Sequence, residues 1–271
     1  MMINFSLKKN LVGLGCALMA LSACKEAPKD NRNPISAPAG QESELLDARK
    51  NYVKVQPVEH ASFVLDFFEK TIYIDPVGNA NSYTDFQKPD ILLLTDIHPD
   101  HLQVEVLQTL ITSNTKIIAP SAVANKLPAA LKKQTKVLNN FEEITLSGSV
   151  IKALPMYNLP ESAESMHPKG RGNGYLLQEQ GKRIYIAGDT EDIPEMRNLK
   201  DINIAFIPMN LPYTMTVEDA ADAVLDFKPH KVYPYHYRGK EGFSDIEKFK
   251  NIVNTNNPKI EVILLDWYPE K

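Results

Sequence analysis

The chain has 271 residues, with 30 lysines and arginines against 34 aspartates and glutamates, and a formal net charge of −4. That balance lacks the basic surface of a typical nucleic-acid binder, so nucleic acid is not the expected partner. The two cysteines, Cys16 and Cys24, both lie near the N-terminus. The rest of the chain therefore offers no disulfide and no thiol ligand, and any metal there must be held by histidine and carboxylate.

Residues 1–23 have the layout of a secretion signal. Lys8 and Lys9 supply the positive start, and Leu11 to Leu21 is apolar but too short to span a bilayer as a stable helix. Leu21-Ser22-Ala23-Cys24 resembles the bacterial lipobox. The resemblance implies cleavage before Cys24, diacylglycerol on its sulfur and an acyl chain on its amine. Residues 24–50, rich in Pro, Asn, Ser, Ala, Glu and Lys without an apolar period, are expected to be a flexible tether starting at lipidated Cys24. A domain over 51–271 would then sit outside the cytoplasm, anchored by lipid to a bacterial membrane. Its length, about 220 residues, suits one domain with a full core.

Short strand-like runs follow in chain order. Val53 to Val58, Ser62 to Phe67 and Thr71 to Ile74 are expected to form an antiparallel meander, and Ile91 to Thr95 a buried strand. A helical pattern covers His101 to Ile111, and Lys116 to Ala119 is a short strand. The spacing predicts one helix over Ser121 to Lys133, capped by Ser121 and kinked at Pro128. Strands are expected at Lys136–Leu138, Glu143–Leu146, Val150–Leu154, Gly174–Glu179 and Arg183–Ala187, the last two joined by a turn at Gln180-Gly181-Lys182. Ile202 to Pro208 is a strand, Val217 to Phe227 a helix, Lys231 to Tyr235 a strand, Ser244 to Val253 a helix and Ile260 to Leu265 a strand. Two similar halves of this kind imply an α/β fold of two packed sheets with helices outside.

The segment Thr95-Asp96-Ile97-His98-Pro99-Asp100-His101 places four potential ligands, Asp96, His98, Asp100 and His101, on the loop leaving a buried strand. A spacing of two lets alternate side chains of an extended segment point the same way. His167, Asp189 and His236 follow at loops or strand ends, and none lies on an apolar helix face. A hydrolytic metal centre needs such converging donors with room for water.

In that order these residues resemble the signature of the metallo-β-lactamase superfamily, H-x-H-x-D-H followed by a separate His, a Gly-Asp and a final His. Met156-Tyr157-Asn158, His167-Pro168-Lys169-Gly170, Gly188-Asp189-Thr190 and Leu211-Pro212-Tyr213-Thr214-Met215 are similar to the branch that contains L-ascorbate-6-phosphate lactonase. So are Glu59-His60-Ala61-Ser62-Phe63 and Ile74-Asp75-Pro76. The resemblance implies a single-domain αββα four-layer sandwich with metals at one edge. One metal would take His98, His167 and Asp96, the other Asp100, His101 and His236, with Asp189 between them. Asp96 departs from the family, which has histidine there. Asp96 makes the ligand set harder and the site less positive, which admits Mn or Fe beside Zn, the leading expectation. It also leaves open one metal rather than two.

The expected activity is hydrolysis of an ester, lactone, amide or phosphoester by a metal-bound hydroxide, with Asp100 orienting it. The alternatives are a phospholipase D-like phosphodiesterase acting on lipids, and a metal-binding lipoprotein without catalysis. His60 is expected beside the metals, supporting a ligand or giving a proton to the leaving group. Asp75 is a candidate to orient a metal-binding histidine. Tyr157, Asn158, Tyr213, Thr214 and Met215 are candidate pocket residues, and Lys169 and Arg171 candidates to attract phosphate or carboxylate. Tyr235 and Tyr237 are expected to face away from His236. His230 and the run Lys248-Phe249-Lys250 read as solvated surface.

Overall fold

Apolar residues spaced two apart dominate the early strands, and the two faces they create bury into two different cores. The computed structural model describes residues 53–268; the expected signal (1–23), Cys24 and the tether (24–50) lie outside the described residues. The first sheet contains β1 (Val53–Glu59), β2 (Ser62–Phe67), β3 (Lys70–Ile74), β4 (Ile91–Leu93), β5 (Lys116–Ala119) and β6 (Thr135–Val137), in that spatial order. The meander β1–β2–β3 is antiparallel, and β3 to β6 run parallel. Phe63, Leu65 and Phe67 of β2, Ile72 and Ile74 of β3 and Ile91 and Leu93 of β4 face one core. Val64, Tyr73 and Leu92 face the other, where α1 (Val104–Leu110) and α2 (Ser121–Lys126) add Val106, Leu107, Leu110 and Val123. That split follows from the period of two in a strand.

The second sheet is built from β7 (Glu143–Leu146), β8 (Ser149–Met156), β9 (Gly172–Glu179), β10 (Lys182–Ile186), β11 (Ile204–Pro208) and β12 (Lys231–Tyr235). A small hairpin, β13 (Arg238–Gly239) and β14 (Gly242–Phe243), stands apart, and β15 (Glu261–Val262) closes the edge beside β12. Gln180 and Gly181 both have positive φ, 45° and 77°, which matches the twist of a two-residue hairpin between β9 and β10. The sheets meet through aromatic rings: Phe63 stacks on Phe206 of β11 at 4.4 Å, and the edge of Trp267 lies 5.5 Å from Phe63. The outer face of the second sheet is covered by α5 (Val217–Phe227) and α6 (Ile246–Asn256), which follow α3 (Ala129–Lys132) and α4 (Pro194–Arg197) in the chain. Thr216 caps α5 by accepting from the Asp219 N–H, and Asp245 caps α6 by accepting from that of Lys248. The expected αββα sandwich is thus present, with helix layers outside two sheets.

Two local expectations fail here, each for a clear reason, and a third fails at the site described below. The single helix over Ser121 to Lys133 is two helices, α2 and α3. Leu127 is extended, with ψ 144°, because a residue before proline is driven out of the helical region, so Pro128 breaks the helix instead of kinking it. Pro120 stands at the N-cap, and the Ser121 hydroxyl donates to Asn139 Oδ1 at 2.7 Å. In Lys248-Phe249-Lys250 the lysines face outward, but Phe249 is fully buried in the main core. Charge on either side hid an inward position of an amphipathic helix. Among the described residues no helix is long and apolar enough to cross a membrane.

Candidate metal centre

Parallel strands carry their C-terminal ends to the same edge, and this edge collects the donors. β3 leads to Asp75, β4 opens into the loop 95–101, β10 leads to Gly188-Asp189, and β12 leads to His236. His60 sits in the turn between β1 and β2 with φ 58°. The expected helix at His101 begins later, at Val104. His101 and Leu102 instead form a tight turn, both N–H groups donating to the His98 carbonyl. That turn aims His101 inward, where it is fully buried.

His101 is fixed from both sides. Its Nδ1 lies 2.8 Å from Asp75 Oδ2, and Asp75 also accepts the Thr95 N–H at 2.7 Å and the Thr95 hydroxyl at 2.5 Å. A carboxylate on one ring nitrogen sets the tautomer and presents the other nitrogen to the site. His101 Nε2 then lies 3.1 Å from Asp189 Oδ2 and 3.2 Å from His236 Nε2. His236 Nε2 lies 3.3 Å from Asp189 Oδ1 and 3.5 Å from Asp100 Oδ2. Asp100 Oδ1 is 3.9 Å from His101 Nε2. Ligands held about 2.0–2.1 Å from a tetrahedral cation stand about 3.3 Å from one another. His101, Asp189 and His236 thus bring one donor atom each within 4.8 Å of one another, at spacings close to those of ligands on one cation, and Asp100 adjoins them through His236.

The electrostatics agree. Burial opposes ionisation of Asp189, but His236 and His101 overcome it and hold its carboxyl well below the usual range. Burial likewise opposes ionisation of Asp100, and the hydrogen bonds from His236 and His60 outweigh it. Burial disfavours charge on His101, yet Asp189 and Asp75 carry its pKa well above the ordinary 6.5. Asp189 Oδ1, His236 Nδ1 and both nitrogens of His167 are buried without a hydrogen-bond partner. Buried polar atoms in native proteins are normally satisfied, so this concentration of unpaired donors at one edge suits a set of side chains that holds a cation.

A proton on His101 Nε2 and a cation there exclude each other. Zinc titrated into chelated protein at pH 7 is therefore expected to release about one proton per cation, read by calorimetry in buffers of different ionisation enthalpy. Affinity should weaken as pH falls. Without a cation, a histidine raised above its unfolded value of 6.5 lends stability that is present below that pH and lost as pH rises through the folded pKa. Thermal melts of chelated protein should therefore fall toward alkaline pH, and melts of loaded protein should not. Affinity independent of pH would rule out a protonated His101.

A second group adjoins the first. His167 Nε2 is 3.2 Å from Asp189 Oδ2, and the rings of His98 and His167 lie 5.1 Å apart. Asp96, His98 and His167 bring their donor atoms within 4.8 Å of one another. Asp96, however, is fully buried against Arg171, which donates from Nε to Oδ1 at 3.1 Å and from Nη2 to Oδ2 at 2.8 Å. Burial opposes ionisation of Asp96, but His98 and Arg171 hold its pKa below the usual value. Hydrogen bonds were expected from neither direction in the sequence; 75 residues separate the pair.

The remaining candidates mostly support the ligands. Asn158 Oδ1 accepts the His167 N–H at 2.8 Å, while its amide donates to Glu191 and to the Tyr213 carbonyl. The Tyr157 hydroxyl donates to Glu195 Oε2 at 2.8 Å. Thr214 donates to Asn210, and Met215 is buried in the core. Lys169 pairs with Glu161 and Glu195, so neither it nor Arg171 is a lone anion-attracting charge. Tyr235 points away from the centre into the aromatic core, and its hydroxyl accepts the Gly188 N–H at 3.0 Å. Gly188 has φ 67°, and a Cβ there would meet Met156 Sδ at 2.6 Å, so the turn presenting Asp189 requires glycine. His230 is exposed, as its sequence context implied. His60 Nε2 is 3.3 Å from Asp100 Oδ2, its ring lies 3.9 Å from that of His236, and its Nδ1 is 2.8 Å from the Tyr268 hydroxyl. Tyr268 carried no motif, and only the fold brings it here from the far end of the chain.

Two helix-flanked sheets with clustered histidines and aspartates at one edge define a protein of the metallo-β-lactamase fold class. Residues 54–236 match the family described as Beta-lactamase superfamily domain, and the chain belongs to that family. It is similar to the UPF0173 metal-dependent hydrolase of Pyrococcus horikoshii, 32% identical over 223 residues that cover 79% of this chain and 96% of the relative. The corresponding protein of Pyrococcus abyssi is 31% identical over the same shares. Among solved structures, a metal-dependent hydrolase from Parabacteroides distasonis is 41% identical, with a TM-score of 0.69 over 78% of this chain and 92% of its own. A metallo hydrolase from Ignicoccus hospitalis, 24% identical with a TM-score of 0.67, shares the fold.

Proposed function

We propose that this metal-dependent hydrolase of the metallo-β-lactamase fold cleaves an ester, lactone, amide or phosphoester. The observation that carries the reading is the convergence of His101, Asp189 and His236 at 3.1 to 3.3 Å from one another, with Asp100 3.5 Å from His236 and 3.9 Å from His101. These residues would hold a divalent cation, zinc by preference, which when bound would acidify water and polarise an electrophilic oxygen. The centre opens toward solvent at Asp100, whose side chain is 40% exposed, while His101 and His236 are sealed. Substrate therefore enters beside Asp100. Burial holds His60 below its ordinary pKa, so it is neutral near pH 7. With Asp100 ionised and able only to accept, His60 donates from Nε2 and takes the Tyr268 O–H at Nδ1. In this reading His60 orients Asp100, and proton donation to a leaving group is the weaker of its two expected roles.

A phosphodiesterase acting on lipids is the second reading. Leu211 and Phe243 are exposed large apolar residues, and both line a surface cavity of about 610 Å³. Phe243 stands 5.0 Å from Tyr268, which contacts His60, so this apolar ground lies next to the centre. An acyl anchor at Cys24, part of the same proposal, would hold the domain near a membrane.

The test is a panel of esters, lactones, amides and phosphodiesters, the last including phospholipid vesicles. It would use protein stripped by chelator and reloaded with zinc, manganese or iron. We expect one class to be turned over, turnover to vanish on stripping, and one metal to restore it. A metal-replete protein inert on the whole panel would leave a binding protein on a hydrolase fold.

A further inference from the structure

We propose that the Arg171 guanidinium takes the place of one of the two cations of a dinuclear centre, so that this chain holds a single divalent cation, on Asp100, His101, Asp189 and His236. The inference rests on the metal-site reading above and concerns the neighbouring group, Asp96, His98 and His167.

The donor atoms of that group are largely committed. Arg171 meets Asp96 with two parallel bonds, Nε to Oδ1 at 3.1 Å and Nη2 to Oδ2 at 2.8 Å. This is the bidentate arrangement in which a planar guanidinium matches a carboxylate best. Asp96 Oδ2 also stands 2.8 Å from His98 Nδ1. An ionised carboxylate only accepts, so His98 carries its proton on Nδ1 and its lone pair on Nε2. That lone pair faces Arg171 Nη2 at 3.3 Å. The nitrogen His98 would offer a cation thus stands against a guanidinium nitrogen whose two hydrogens are directed mainly at Asp96 and Met166, and which has no lone pair to share.

The arginine is also built in. Nη2 donates to the Met166 carbonyl at 2.7 Å, one residue before His167. Its side chain is 20% exposed, while the carboxylate it holds is fully buried. Of the three residues in the group, His167 is the one with buried donor atoms that lack a hydrogen bond, and its Nε2 lies 3.2 Å from Asp189. A cation there would lie against a fixed positive charge with one unencumbered ligand besides Asp189. The four-donor set differs in kind: its carboxylates pair only with histidines among the described residues. The aspartate at the position of the usual histidine thus has a physical partner. It retains Arg171, and the pair supplies one positive charge where the family pattern implies a second metal.

The test is the stoichiometry and magnetic state of bound Mn²⁺ in the full domain, wild type beside Arg171→Met. Methionine keeps the length and apolar stem and removes every N–H. Equilibrium dialysis with elemental analysis should give one equivalent in wild type and two in Arg171→Met. Electron paramagnetic resonance should change from an isolated-ion signal to that of a coupled pair. Two equivalents with a coupled signal in wild type would overturn the inference and leave the metal-site reading intact. One equivalent in both proteins would overturn Arg171 as the obstacle. No bound metal in wild type would overturn both. Should Arg171→Met fail to fold, Arg171→Gln repeats the comparison, and the wild-type signal by itself, isolated or coupled, still supports or refutes a single ion.

Discussion

Asp189→Ala is expected to lose its metal to below a tenth of the wild-type content and to show no measurable turnover. Asp189 is the carboxylate on which the centre converges. Its Oδ2 lies 3.1 Å from His101 and 3.2 Å from His167, and its Oδ1 lies 3.3 Å from His236. Removing it takes away a ligand and the negative charge that balances the cation or, without one, a protonated His101. Its depressed pKa means that it adds stability above the unfolded value of 3.8, lost as pH falls through the folded one. At neutral pH that contribution is in full force. Breaking a buried charge pair by deleting one partner costs about 3–5 kcal/mol, so the metal-free variant should also be less stable. Elemental analysis beside circular dichroism separates the two effects. A folded Asp189→Ala protein with wild-type metal content would remove Asp189 from the ligand set and, with it, the site as described.

Asp75→Ala should weaken metal binding about 10- to 100-fold without touching a ligand. Asp75 is only 1% exposed. Burial pushes its carboxyl above the ordinary value, and the bonds from His101 and Thr95 restrain the rise. Alanine would leave His101 Nδ1, the Thr95 N–H and the Thr95 hydroxyl without their shared acceptor. The loss of a buried, multiply bonded carboxylate should cost a further ~3–5 kcal/mol in stability. Competition titration against a chromophoric chelator measures the first effect and urea denaturation the second. Asp75→Asn, which keeps an oxygen acceptor, should recover part of the stability and less of the affinity. Wild-type affinity in Asp75→Ala would mean that the ring of His101 is oriented by something else.

Much of the fold was legible because its signals are local. Glu143–Leu146, Val217–Phe227 and Lys231–Tyr235 coincide with the predicted spans, where alternation or helical period is clear and turn residues bound the run. The short hairpin Arg238–Gly239 with Gly242–Phe243, and the single turn Pro194–Arg197, have too few residues to show a period. Helix starts shifted where a tertiary task competed. His101 and Leu102 were read as helix, but the chain turns there so that His101 can reach Asp75 and Asp189.

The candidate site divides the same way. Asp96, His98, Asp100, His101, His167, Asp189 and His236 stood out by residue type, order and placement at strand ends. Each of those is a property of a few adjacent residues, so the sequence alone determined which donors exist and at which edge they gather. What each donor faces was decided only by the tertiary structure. Asp75 meets His101 across 26 residues, Tyr268 meets His60 across 208, and Arg171 meets Asp96 across 75. These partners share no local pattern, because sheet order and the meeting of two sheet edges bring them together. A hydrogen bond of about 3 Å is too short-ranged to leave a trace in sequence spacing. Arg171 shows the consequence: in the sequence it was a loop cation expected to attract a phosphate or carboxylate, and in the fold it claims both oxygens of the chain's own Asp96.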